Sequence, residues 1–150
     1  MSVDARVSKD LVQTLHDGKD GFAHAAERLS DSDAPELAST FQRYSQQRAQ
    51  FATELEALGQ SYGDDVEESS SAASALHRGW ISVKDALTGS SPASVLKAAE
   101  TGEDHAVTEY EKALDADIST GLRDVVDRQY QDIVAARDQV RSLAASPSHS

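Results

Sequence analysis

Cysteine is absent from this 150-residue chain. That excludes disulfides, thiolate nucleophiles and Cys-based zinc or iron–sulfur centres. No apolar run approaches the roughly 18–20 residues needed to cross a bilayer, so a membrane is not an expected partner. The opening residues, MSVDARVSKDLVQ, contain no apolar h-region. A signal peptide is therefore not expected, and the reading is a cytoplasmic protein. Positive charge is scarce: 14 Lys and Arg stand against 26 Asp and Glu, a net charge of −12. Such a chain repels phosphate backbones and shows no segregated basic patch, so nucleic acid is not an expected partner either. Aromatics make up only 5% of a chain that is 39% hydrophobic, and many of the apolar residues are alanines. Small core residues suit close helix packing better than a sheet, which wants more valine, isoleucine and aromatics. Strand-like alternation is missing as well.

What remains is strongly helical text, punctuated by three prolines and eight glycines. A first helix begins at Ser8, with Leu11, Leu15, Phe22, Ala25 and Leu29 on one stripe. Asp33 caps a second helix running from about Pro35 to Leu58. GQSYGDDVEESSS is the longest break. A shorter third helix follows from about Ser71 to Leu87, carrying Leu76, Trp80, Val83 and Leu87. Ser91 and Pro92 start a fourth helix that reaches about Leu114. A fifth runs from about Ser119 to Leu143, and residues 144–150 form a polar tail. The expected fold is all-α: an up-and-down four-helix bundle with the shorter helix at about 71–87 added. One domain of this length, with an ordered core at about 8–143, buries roughly 70% of its unfolded surface.

The second helix repeats apolar residues at Leu37, Phe41, Tyr44, Phe51, Leu55, Leu58 and Tyr62. The position missing from that series is 48, and it is an arginine. At 100° per residue Arg48 falls inside the stripe, not on its flank. The fourth helix has the stripe Leu96, Ala99, Ala106, Val107, Tyr110 and Leu114, and its missing member is Glu103. The fifth has Leu122, Val126, Ile133, Ala136, Val140 and Leu143, interrupted by Gln129. Gly18 interrupts the first, between Leu15 and Phe22. Pairing helices about their turns puts Gly18 opposite Arg48, Glu103 near Gln129 to Gln131, and His77 opposite Glu103. These residues define an expected polar layer. Gly18 leaves room for a long arginine. Glu103 is its counter-charge, because guanidinium and carboxylate match as two-pronged partners. Gln129 is expected to satisfy remaining donors or lone pairs, and His77, at the edge of its stripe, either joins the layer or faces solvent.

The segments DGKDGFAHAAE, QQRAQF, HRGW, KDALTG and GEDHAVTEYEKAL, in this order, also carry a resemblance. The chain resembles, from about Ser8 to Leu143, a family of bacterial ferritin-like four-helix-bundle proteins catalogued as a domain of unknown function. The resemblance implies the ferritin-like fold and a bacterial cytoplasmic setting, and no established reaction.

Ferritin-like di-iron proteins place a Glu on each of two helices and a Glu-x-x-His pair on each of the others. Here Glu103 is the right type, Gln129-x-x-Asp132 lacks both the Glu and the His, and Arg48 stands where an inward ligand would be. A metal alternative, iron or manganese, would rest on Glu103, His77 and Asp132. It could rest instead on the surface series His16, Asp20, His24 and Glu27, spaced to share one face of the first helix. For that series a solvated polar face is the simpler expectation. No nucleophile elbow or Gly-rich phosphate loop is present. Trp80 lies on its stripe and is expected to pack in the core. Ile81, Phe41 and Ala52 fall opposite or at the edge of their stripes and are expected to be exposed. The leading expectation is thus a non-enzymatic, cofactor-free bundle with a structural polar layer, stress-related by analogy. The alternatives are a metal-binding ferroxidase-like protein and an oligomeric scaffold that associates with copies of itself.

Overall fold

A computed structural model describes residues 3–30, 36–61 and 92–145. They form four helices: α1 (Val3–Ser30), α2 (Glu36–Ser61), α3 (Pro92–Asp115) and α4 (Thr120–Ala145). Among the described residues there is no strand, and the architecture is an all-α helical bundle. The shorter helix expected at about 71–87, with Trp80 and Ile81, lies outside the described residues.

Each helix starts and stops for a local chemical reason. α1 begins one turn before Ser8, because Ala5 and Val7 are buried and carry the apolar stripe toward the amino terminus. Ser8, expected to begin this helix, is a buried residue inside it. Ser119 caps α4: its hydroxyl accepts the Leu122 N–H at 3.4 Å, and its carbonyl accepts the Arg123 N–H at 2.9 Å. Arg123 closes the other side of this turn. Its guanidinium donates to the carbonyls of Leu114 at 2.6 Å and Ala116 at 2.9 Å, which the end of α3 leaves without helical partners. Ile118 is buried in the turn and seals this end of the core. Asp4, in the first turn of α1, accepts the Ser119 N–H at 2.8 Å. That bond ties the start of α1 to the α3–α4 turn.

Two apolar clusters give the helix directions. One contains Phe22, Leu29, Leu37, Phe41, Leu96 and Val140. The other contains Leu11, Leu15, Leu55, Tyr110, Leu122 and Ile133. Reading each helix from cluster to cluster, α1 and α4 run one way while α2 and α3 run the other. The helices make two antiparallel hairpins, α1/α2 and α3/α4, and α2 ends at the opposite end of the bundle from the start of α3. α1 lies against both α2 and α3, and α4 lies against α3 and, more sparsely, α2. α2 and α3 are therefore diagonal partners.

The contact between α1 and α2 is close. Ser45 donates its hydroxyl to the Lys19 carbonyl at 2.8 Å, a bond that requires α2 to approach the α1 backbone. Gly18, Gly21, Ala25 and Ala26 line the buried face of α1 and permit that approach. Phe41 and Ala52, expected at the exposed edge of α2, are 0% and 1% exposed. α2 packs on α1 along one side and on the bundle centre along another, so its buried arc is wider than its apolar stripe. Phe41 meets Phe22 edge-on, with ring centroids 5.5 Å apart, an arrangement favoured by the ring quadrupoles. Each fully buried Leu or Phe contributes about 1.5–3 kcal/mol. No helix of the described residues is long and apolar enough to cross a membrane.

The Asp4–Ser119 bond generates a prediction. Asp4→Ala should lower stability by about 1 kcal/mol, the usual net contribution of a hydrogen bond. In urea the midpoint should fall at unchanged slope. An unchanged midpoint would show that the α1 terminus contributes nothing to the turn.

Candidate functional site: a buried ion pair across the bundle

Between the two apolar clusters lies a charged pair. Arg48 Nη1 donates to Glu103 Oε1 at 2.5 Å, and Nη2 donates to Oε2 at 2.6 Å. The side chains are 1% and 0% exposed. Both carboxylate oxygens are thus engaged by one guanidinium, the two-pronged geometry that makes such pairs strong and directional. The third nitrogen is used too: Nε donates to Gln47 Oε1 at 3.2 Å. The flat guanidinium lies 5.1 Å from the centre of the Phe22 ring, within range of a cation–π attraction.

Gly18 shapes the space beside the arginine. A Cβ built on Gly18 would lie 3.6 Å from Arg48 Cγ and 3.6 Å from Nη1. That is ordinary contact: a methyl group would lie directly against the arginine stem and head.

Burial opposes the charge on Arg48, but the attraction and hydrogen bonds of Glu103 outweigh it and raise its pKa above the ordinary value. Two tyrosines flank the pair. Burial pushes the Tyr110 hydroxyl far above its normal range. Tyr44 is half-buried and also raised, by burial first and then by the nearby Glu103 charge. Its hydroxyl donates to Gln139 Oε1 of α4. Both phenols are thus neutral at pH 7.

Gln129 is not part of the ion pair. It lies inside the second apolar cluster, between Val126 and Ile133, one to two turns below Glu103. There the Tyr110 hydroxyl donates to Gln129 Oε1 at 2.7 Å. Gln129 Nε2 donates to Glu54 Oε1 at 2.8 Å and to the Phe51 carbonyl at 3.3 Å. Arg128 donates to the other Glu54 oxygen. Tyr110, Gln129, Glu54 and Arg128 form a second polar chain, leading from the interior to the surface. The sparse α2/α4 side is bridged by it. The sequence pattern gave the face of Gln129 correctly but not its height. Gln47 and Glu54 went unassigned because each is an ordinary polar residue beside the stripe, and Tyr44 was counted as an apolar stripe member without a role for its hydroxyl.

The metal alternatives place differently. Asp132 is exposed on α4, while Glu103 is wholly buried. His77 lies outside the described residues. The surface series on α1 divides among separate partners. His16 Nε2 meets Glu56 Oε1 of α2 at 3.4 Å. Asp20 lies 3.9 Å from Lys19, and His24 lies 3.8 Å from Glu27. Asp20, His24 and Glu27 border a shallow groove of about 490 Å³ with Gln42, Ser45 and Gln46. Among the described residues no three His, Asp or Glu side chains gather as metal ligands would.

The fold and its centre define an all-α bundle protein with an ion-paired interior. The chain belongs to the family described as Domain of unknown function (DUF2383), whose model matches residues 6–116. That span holds Gly18, Arg48 and Glu103 and stops at the end of α3, before Gln129. No curated protein matches the chain.

Two predictions follow from this geometry. Glu103→Ala strands a buried guanidinium and should cost about 3–5 kcal/mol in urea unfolding; a loss below about 1 kcal/mol would show the pair to be solvated. The second concerns acid. Burial works to raise the Glu54 carboxyl, but bonds from Gln129 and Arg128 pull it below its ordinary 4.5. Its folded pKa is depressed, so its contribution is present above the unfolded value and is lost as pH falls through the folded one. Stability should decline below about pH 4.5, and Glu54→Gln should flatten that limb. An identical acid limb in the variant would contradict this assignment.

Proposed function

We propose that this is a non-enzymatic, ferritin-like helical-bundle protein whose centre is a structural ion pair in place of a metal centre. The observation that carries the reading is the commitment of both Glu103 oxygens to Arg48, with both side chains almost fully buried. A ferritin-like di-iron centre asks for about four inward carboxylates and two histidines. Among the described residues the centre offers one carboxylate, already neutralised by a fixed cation. A metal ion there would meet the Arg48 charge and would have to displace it from Glu103. Gln129 turns its amide to Tyr110 and Glu54, and a neutral amide is a poor substitute for the Glu expected of that stretch. The residues present do not fit an iron pair, so no oxidation step is assigned to them.

The resemblance to bacterial ferritin-like bundles supports a cytoplasmic setting and, by analogy, a stress-related role. The acidic surface is consistent with solubility and with weak, non-specific attraction of cations.

The test is metal analysis of the purified protein together with iron(II) and manganese(II) titration. The expected result is no stoichiometric metal and no saturable binding at micromolar concentration. Stoichiometric metal that is lost in Glu103→Ala would overturn the proposal.

A further inference from the structure

The diagonal placement of the ion pair has a consequence for how the two hairpins find each other. Arg48 belongs to the α1/α2 hairpin and Glu103 to the α3/α4 hairpin. Their bond crosses the bundle between α2 and α3, helices that have little other contact. It is therefore a direct link between the hairpins at a single height.

The apolar surfaces do little to select that height. The buried face of α3 carries Ala98, Ala99, Ala106 and Ala113 among Leu96, Val107 and Tyr110, and that of α1 carries Ala5, Ala25, Ala26 and two glycines among Leu11, Leu15, Phe22 and Leu29. Apolar contacts are non-directional, and the small side chains between the large ones present shallow ridges, so apolar burial can re-form after one hairpin slides by a helical turn. The clusters above and below the pair are both built largely of Leu, Ala and Val. The charged pair is different. A slip of one turn, about 5.4 Å, moves Arg48 from Glu103 to the level of Ala99 or Ala106. It also carries Glu103 away from the guanidinium and toward apolar residues of α2. Both charges are then buried without partners, which is the most costly arrangement available to them. Gly18 adds a second condition, since at its level α1 accommodates the Arg48 head beside it.

We propose that the Arg48–Glu103 pair is a register lock that selects one docking of the α1/α2 hairpin on the α3/α4 hairpin. This rests on the structural reading of the polar layer, and it goes further. The lock contributes uniqueness more than stability. A chain with both charges replaced by apolar side chains of similar size keeps its helices and its resistance to urea, and adopts several dockings.

The experiment uses the full chain with Arg48→Met and Glu103→Leu combined. Because the chain has no cysteine, spin labels can be attached through Gln50→Cys on α2 and Thr108→Cys on α3, both at exposed positions. Pulsed electron-spin distance measurement should give one narrow distance with the ion pair intact. The double variant should give several distances, or one broad distribution, at wild-type helicity and an equal or higher urea midpoint. A single narrow distance unchanged in the double variant would overturn the proposal. A double variant that unfolds would overturn it too, because the pair would then be a source of stability and not a selector. Metal binding is read on the wild-type protein, so a failure of the structural reading appears there and a failure of the lock appears here.

Discussion

The bidentate bond between Arg48 and Glu103 is the constraint on which the rest of the interior depends. Charges of this kind cannot be buried singly, because desolvation costs several kcal/mol per ion in a protein interior. Burying either therefore requires the other, in one geometry, at one height. The neighbourhood follows from that requirement. Gly18 admits the arginine, Phe22 presents its ring face, and Gln47 takes the remaining N–H. The apolar core is divided into two clusters because this layer separates them.

A second set of polar residues serves the side of the bundle where helices approach least. α2 and α4 are held mainly by long side chains: Tyr44 to Gln139, Gln129 to Glu54 and the Phe51 carbonyl, and Arg128 to Glu54. The orientation of the Gln129 amide is determined by its partners. Turning it over would point its oxygen at a carboxylate and a carbonyl, both acceptors. The α1/α2 side is the reverse case, with glycines, alanines and a Ser45 bond to the helix backbone. The bundle thus combines one close, small-residue contact with one wider, polar one. Its ion pair joins the two hairpins across the middle.

Much of this was legible in the sequence, for reasons that can be named. Helix ends were marked by proline at position 92 and serine at 119, whose backbone chemistry is local. Arg48, Glu103 and Gly18 were visible as interruptions of a 3.6-residue period, since periodicity reports which face a residue occupies. Height along the helix is another matter. It depends on how hairpins slide, so Gln129 was assigned to the level of Glu103 when it belongs with Tyr110 and Phe51. Phe41 and Ala52 were placed at an exposed edge because a stripe shows a helix with one buried side, whereas α2 has two neighbours. The start of α1 was set too late, at Ser8, because the stripe was read from Leu11; Ala5 and Val7 extend it, and Asp4 bonds to a turn more than a hundred residues away. The expected HRGW segment, with His77 and Trp80, lies outside the described residues.

The most direct measurement of the central claim is the coupling free energy between Arg48 and Glu103, from a double-mutant cycle of Arg48→Met, Glu103→Leu and their combination in urea. The account predicts that the single changes are each far more damaging than the pair, giving a coupling at or above the roughly 3 kcal/mol that marks strong contacts. A coupling near zero, with the two losses simply adding, would contradict it.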